Sequence, residues 1–318
     1  MMPTQSCESR LLDALRAAGF PADVQLHPGT AGVASPIRVA TEWAGFFVSS
    51  SRGLHYAKVL HTDMAPLIDI ERSAQASQCA ADSGAAPSVI LADVAHGVLL
   101  FEALPAPDWR WARLDELTSM PQLQSLWALK KQVHAGPAPD FARSPMADLQ
   151  TLRDLCRRDG VTMPPDQAWI DTCIDLAWHA LQQHPHESVP LHGDGLASNV
   201  MVGPGGELRL LDFDYGGCFD PWYDVAITLN ELFPFESQWR EGISAWAGEC
   251  GEVDYARCRL YALINDWYWT LWGLWSGATS GRGLEFSKVG QWTLLRCRQG
   301  IQDARFESWL RRVHGGEA

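Results

Sequence analysis

Four side chains that bear hard oxygen donors fall close together in the second half of the chain. The stretch Leu191-His192-Gly193-Asp194-Gly195-Leu196-Ala197-Ser198-Asn199 is followed, thirteen residues after Asn199, by Asp212-Phe213-Asp214. Carboxylates and an amide suit magnesium, and the amide limits the negative charge that a nearby phosphate would meet. As a lone H-x-D triplet, His192 and Asp194 are equally ordinary loop residues beside a turn. A second group is aromatic: Asn265-Asp266-Trp267-Tyr268-Trp269-Thr270-Leu271-Trp272-Gly273-Leu274-Trp275. Trp ring faces attract a diffuse cation such as a trimethylammonium group, which has no proton to offer a carboxylate. Trp269 and Trp272, three apart, share a helix face. The same stripe also describes a core, and with 15 Trp in the chain several must be structural. Lys58, within Tyr56-Ala57-Lys58-Val59-Leu60, and Glu71 are commonplace when taken singly.

The elements that must position these residues change character along the chain. Residues 8–19 read as a short helix. Residues 37–60 are β-branched and aromatic, broken by Gly45 and by Ser51-Arg52-Gly53, a strand, hairpin and strand pattern. A helix with Asp63 as its cap follows and ends at Gly84 and Pro87. Residues 88–93 and 97–103 suggest a further hairpin. Prolines in 105–108 mark a hinge, which divides the chain into residues 1–104 and 105–318. Beyond it helices dominate, as in 146–157 and in 165–183, where Pro165 suits a first helical turn. The exception is 189–212, where short strands flank the turn Gly203-Pro204-Gly205-Gly206. That hairpin brings Asn199 and Asp212 to one edge.

Bulk properties narrow the partners. The 318 residues are 47% hydrophobic, enough for a substantial core. A formal charge of −13 argues against nucleic acid or anionic lipid, which need a surplus of Lys and Arg, and leaves a small, cationic molecule as the natural partner. No apolar run approaches the length that spans a bilayer and no leader is evident, so a cytoplasmic location is expected without membrane insertion. The eight cysteines are scattered with no C-x-x-C pair, which reads as reduced thiols.

The set His192, Asp194, Asn199 and Asp212 resembles the kinase catalytic loop and its magnesium-binding motif. The resemblance implies an α/β, two-lobed protein-kinase-like fold, with a small β-rich amino-terminal lobe that binds nucleotide and a larger, mostly helical carboxy-terminal lobe. It implies ATP and magnesium as cofactors, Asp194 as the catalytic acceptor of the hydroxyl proton, and Asn199 and Asp212 as metal ligands. Lys58 would contact the α and β phosphates with Glu71 as its ion-pair partner, Asp69 being the rival. Phe101-Glu102-Ala103-Leu104 takes the place of the segment that receives adenine. The phosphate-covering loop fits no G-x-G-x-x-G pattern, and residues 29–35 and 41–45 are both candidates.

Protein kinases carry Arg where this chain has Gly193, and only eleven residues separate Asp212 from Asp224, too few for a regulated activation segment. A small-molecule kinase follows. Asp220-Pro221-Trp222-Tyr223-Asp224-Val225-Ala226 is similar to a stretch of the aminoglycoside phosphotransferase and choline kinase families, in which the second Asp braces the catalytic loop; His192 and Asp224 are thus structural. Asp212-Phe213-Asp214-Tyr215, Glu231 and the Trp-rich helix resemble the choline and ethanolamine kinases most. That resemblance implies an amino alcohol acceptor, with Tyr215, Glu231, Trp269, Trp272 and Trp292 around its ammonium group. Gly193-Asp194-Gly195 is more like the aminoglycoside enzymes, so an aminoglycoside or another amino-bearing metabolite is the alternative acceptor. A kinase-fold binding protein without activity is the alternative of a different class.

Overall fold

Most of the strand-forming runs of the first hundred residues fold into one antiparallel sheet. The computed structural model describes residues 5–35 and 38–315, so Ile37, first residue of the expected strand stretch, lies outside the described residues. Helix α1 (Cys7–Ala17) starts at Ser6, whose hydroxyl accepts from the Ser9 N–H at 3.1 Å. The strands are β1 (Gln25–Pro28), β2 (Val33–Ala34), β3 (Arg38–Val39), β4 (Trp43–Ser50) and β5 (Gly53–Leu60), then, after helix α2 (Ile70–Asp82), β6 (Val89–Asp93) and β7 (Val98–Glu102). The main sheet runs β1-β4-β5-β7-β6, and β2 and β3 form a small hairpin of their own. Alternation along the central strand β5 sends Ala57 and Val59 into a core with Leu11, Ala14 and Leu15 of α1, and Tyr56 and Lys58 to the opposite face.

Helix α2 does not start at Asp63. Asp63 sits in a single 3-10 turn (Thr62–Met64) with its carboxylate taken by Ser280 and Arg282, and α2 begins where the Asp69 carboxylate accepts from the Arg72 N–H.

Beyond β7 the chain is mostly helical. It contains β8 (Arg110–Trp111), α3 (Leu114–Leu117), α4 (Met120–His134), α5 (Pro145–Arg158), α6 (Gln167–Gln182), β9 (Val189–Leu191), β10 (Val200–Val202), β11 (Leu208–Leu210) and β12 (Gly217–Phe219). Helices α7 (Pro221–Leu232), α8 (Glu236–Ala247), α9 (Glu252–Thr279), α10 (Phe286–Ile301) and α11 (Phe306–Val313) complete it. Pro145 does occupy a first helical position, whereas Pro165 lies ahead of the Asp166 cap of α6. The architecture is therefore the expected mixed α/β one, with the sheet first and the helices after it.

Helix α9 organises the helical part. Its 28 residues are buried on nearly every side, as a helix with apolar groups all round must be, and α5, α6, α7, α10 and α11 pack on it. Gly273 lets α10 approach closely: a Cβ there would stand 2.4 Å from the Gly290 nitrogen. Among the described residues no helix is long and apolar enough to cross a membrane.

Candidate active site

Strand β9 delivers the loop 192–199 to a cleft of about 400 Å³ beneath the sheet. Asp194 is fixed within that loop, its Oδ1 accepting from the Leu196 N–H and its Oδ2 from Asn199 Nδ2, both at 3.1 Å. His192 is buried, with Nδ1 2.6 Å from the Asp194 carbonyl and Nε2 2.7 Å from the Leu211 carbonyl. Burial and then the nearby Lys130 lower its pKa, against the opposing pull of Asp224 and the Leu211 carbonyl. Asp224, in the first turn of α7, accepts from the main-chain N–H groups of His192 (3.0 Å) and Gly193 (2.9 Å). Although burial would raise its pKa, Lys130 at 3.4 Å and His134 at 3.0 Å hold it far below the usual carboxylate range. Gly193 has a φ of 79°, and a Cβ on it would fall 1.8 Å from the Tyr215 carbonyl oxygen, so no side chain fits where protein kinases carry Arg. Arg143 instead reaches in from the loop before α5, and its Nη1 donates to the carbonyls of both Gly193 and Tyr215.

The hairpin of β10 and β11 places the second half of the set. It turns at Gly206, and the Leu211 N–H donates to the Asn199 carbonyl at 2.8 Å, which holds Asn199 and Asp212 on adjacent strand ends. Asp212 adopts a left-handed φ of 69°, a conformation that Asp tolerates better than most residues. Lys58 Nζ lies 2.5 Å from Asp212 Oδ1 and 3.5 Å from Asp214, which also accepts from the Trp43 indole N–H and shares a hydrogen bond with Asp212. Desolvation would lower the Lys58 pKa, but Asp212 and Asp214 outweigh it and keep the ammonium charged. Desolvation and then the Asp212 charge push Asp214 up to about 8, while Lys58 brings Asp212 below its ordinary value against desolvation.

These donors fit magnesium as kinases hold it. Among the described residues no group of three or more His, Cys, Asp or Glu forms a self-contained metal cage. Magnesium beside a nucleotide needs only one or two protein oxygens, because the phosphates supply others. The Lys58 ammonium between Asp212 and Asp214 marks the place as one that takes positive charge.

The rest of the cleft lining falls into two groups. Leu104, Phe101, Phe47, Trp109, Met201 and Leu210 are apolar and suit a flat ring. Both candidate covering segments contribute to the lining, through Thr30 and through Thr41, Glu42, Trp43 and Gly45, and Gly29 donates to the Gly45 carbonyl at 2.8 Å. Arg38, Trp269 and Tyr215 gather next to Asp194, with Glu42 and Trp43 in the same lining. Burial, followed by the Asp212 charge, raises Glu42 to about 7 in spite of the Thr41 hydroxyl and Arg38.

Four expected placements are corrected. Glu71 is exposed on the first turn of α2, and the inner face of that helix offers Ser73, Ala76 and Ser77, so Lys58 pairs with Asp212 and Asp214 instead. Trp272 is fully buried behind Trp269, edge-on to it and to Phe286 of α10 at 5.3 Å each, and does not reach the cleft. Glu231 lies two turns along α7 from Asp224, roughly 10 Å at 1.5 Å per residue, and faces Arg296 at 3.6 Å. Trp292 is 46% exposed on the outside of α10. Arg38, Glu42, Lys130 and Arg143 escaped sequence reasoning. Glu42 lies inside a candidate covering loop, but no spacing marks any of the four.

With this geometry in hand, a model of the phosphotransferase enzyme family matches residues 45–261. No curated protein matches the sequence. Among solved structures, the chain is similar to a choline/ethanolamine kinase family protein from Mesorhizobium loti, at 20% identity and a TM-score of 0.75, covering 97% of this chain and 99% of that one. A choline kinase from Streptococcus pneumoniae gives 14% identity and a TM-score of 0.73, covering 92% and 98%. A spectinomycin phosphotransferase, solved with ADP and spectinomycin, gives 13% and 0.59, covering 99% of each chain. At these identities the likeness establishes a shared protein-kinase-like fold.

Proposed function

The chain belongs to the phosphotransferase enzyme family and its acceptor group is a hydroxyl; from that premise we propose that it moves the γ-phosphoryl group of ATP to a small amino alcohol of the choline or ethanolamine kind. The observation that carries the proposal is the convergence of three features on one cleft: the fixed carboxylate of Asp194, the Lys58 and Asp212 pair, and the ring of Trp269.

The roles follow from the chemistry of each group. In the proposal residues 1–104 hold the nucleotide, with adenine against Leu104 and the phosphates against Lys58, while residues 105–318 bring the base and the acceptor site. Asn199 and Asp212 hold magnesium, which when bound supplies positive charge to the phosphates. Asp194 orients the acceptor hydroxyl and takes its proton as the oxygen attacks phosphorus. His192 and Asp224 keep the loop in shape, and Tyr215 and Trp269 wall the ammonium group. The reaction belongs to the cytoplasm, where ATP is supplied.

Glu42 beside Asp194 supports a second reading, an aminoglycoside or another amine-rich acceptor, because a carboxylate accepts hydrogen bonds from protonated amines that a quaternary ammonium lacks. The deciding experiment is transfer of labelled γ-phosphate to choline, ethanolamine and a panel of aminoglycosides, with magnesium and with chelator. Magnesium-dependent product from choline or ethanolamine is expected. Product only from aminoglycosides moves the assignment to the second reading, and no transfer to any of them ends both.

A further inference from the structure

The cleft lining beside Asp194 already holds a cation of the protein's own. Arg38, on β3, is 5% exposed, and its guanidinium carbon lies 3.7 Å from the centre of the Trp269 ring. Its Nη2 is 4.0 Å from Asp194 Oδ1, and Glu42 is in the same lining. Of the groups that would recognise an ammonium ion, the guanidinium covers the aromatic face and lies beside the Asp194 carboxylate, while Glu42 accepts from the Thr41 hydroxyl.

We infer that Arg38 determines acceptor specificity by standing in for the acceptor's cation, and that a cationic acceptor binds only as Arg38 leaves the Trp269 face. The inference rests on the amino alcohol reading. Two cations cannot share one ring face and one carboxylate without strong repulsion. An acceptor bearing a carboxylate would meet Asp194 and Glu42, so the local charge does not favour Arg38 as an anion receptor. The guanidinium is also imperfectly held, since its Nε is buried with no hydrogen-bond partner. Its carrier is small: β3 pairs with β2 in a two-stranded sheet apart from the main one, and Ser198 Oγ, donating to the Arg38 carbonyl at 2.8 Å, ties the main chain, so the side chain and not the strand has to move for the ring to be vacated.

Displacing Arg38 weakens the acceptor's apparent affinity, because only the fraction of molecules with a vacated ring is competent to bind. The test is titration calorimetry of choline and of ethanolamine with wild type, Arg38→Met and Arg38→Lys, alongside the KM for ATP and for the acceptor. Arg38→Met, which keeps bulk and removes charge, should bind the ammonium about tenfold more tightly with ATP affinity unchanged. Arg38→Lys, which keeps the charge but lacks the planar group that stacks on Trp269, should bind the ammonium with an affinity between wild type and Arg38→Met, separating charge from packing should the Met variant be poorly folded. Equal or weaker ammonium binding by Arg38→Met, with wild type still phosphorylating choline or ethanolamine, overturns the inference and leaves the functional reading standing. If neither wild type nor variant binds or phosphorylates either compound, both fall together.

Discussion

Asp194 works from a position its neighbours have already decided. Two of its lone pairs are taken by the Leu196 N–H and by Asn199, so the carboxylate cannot rotate freely, and the remaining oxygen edge faces the cleft. Asp194→Asn keeps the size and removes the base, although its amide can accept only one of the two hydrogen bonds. Turnover should fall by about 10²–10⁴-fold with nucleotide affinity, measured by calorimetry, within a few-fold of wild type; wild-type turnover would remove Asp194 from the chemistry. The two tryptophans divide in the same manner. Trp269→Ala should raise the acceptor KM by up to roughly thirtyfold, the about 2 kcal/mol of a full cation–π contact, less whatever Arg38 gives up in leaving the ring, and should also lower stability because Trp269 is itself buried. Trp272→Ala should cost about 3–5 kcal/mol of stability and leave the acceptor KM alone, because Trp272 fills the space between α9 and α10. A shifted acceptor KM with an unchanged melting temperature in Trp272→Ala would reverse the assignment. Spacing could say that both rings lie on neighbouring faces of one helix, but not which face meets a cleft and which meets Phe286.

At the scale of elements, the catalytic loop is held mostly from below. Asp224 at the start of α7, Lys130 and His134 on α4 and the main chain at His192 and Gly193 meet in one buried cluster. Asp224→Asn should cost about 3–5 kcal/mol, since it leaves Lys130 buried with its charge uncompensated. Linkage gives a second signature. The folded-state pKa of Asp224 lies below the ordinary 3.8, so the unfolded chain takes up the proton first as pH falls. Its contribution is complete above about pH 5 and is lost progressively below about pH 4. Denaturant melts should therefore show a shallower acid limb for Asp224→Asn than for wild type; identical slopes would mean that the carboxylate is no less basic in the fold. The loop, the hairpin and the spacing to Asp224 were all legible because each depends on residues close in sequence. Arg143 was not, since it joins two carbonyls 50 and 72 residues away and needs the tertiary fold to have any role.

The whole molecule adds ties across the cleft that no local pattern announces. The sheet residues of the first hundred could be recognised by alternation, yet the placement of Glu71 failed, because a helix shows its register toward a strand only once packed. The strap from β3 to β4, which carries Arg38, Glu42 and Trp43, is anchored from the opposite side by Arg282 in the loop between α9 and α10. Its Nη1 donates to the Thr41 carbonyl at 2.6 Å and its Nε to Asp63 at 2.9 Å, and Ser280 Oγ also reaches Asp63 at 2.6 Å. The ion pair is about a fifth to a quarter exposed, at 19% and 25%, so its own worth is modest, about 1 kcal/mol or less and weaker in high salt. The bond to Thr41 matters more for catalysis, because losing it frees the residue that precedes Glu42. Arg282→Ala should thus lower stability only slightly and raise the KM of acceptor and nucleotide together by several-fold, while Asp63→Ala, which spares the Thr41 bond, should lower stability by a similar amount and move KM less. Steady-state kinetics and melts of both variants decide it. Equal KM values for Arg282→Ala and wild type would show that the strap keeps its place without this anchor, through ties such as the Ser198 bond, the β2 pairing and the His61 N–H donating to the Glu42 carbonyl at 2.9 Å.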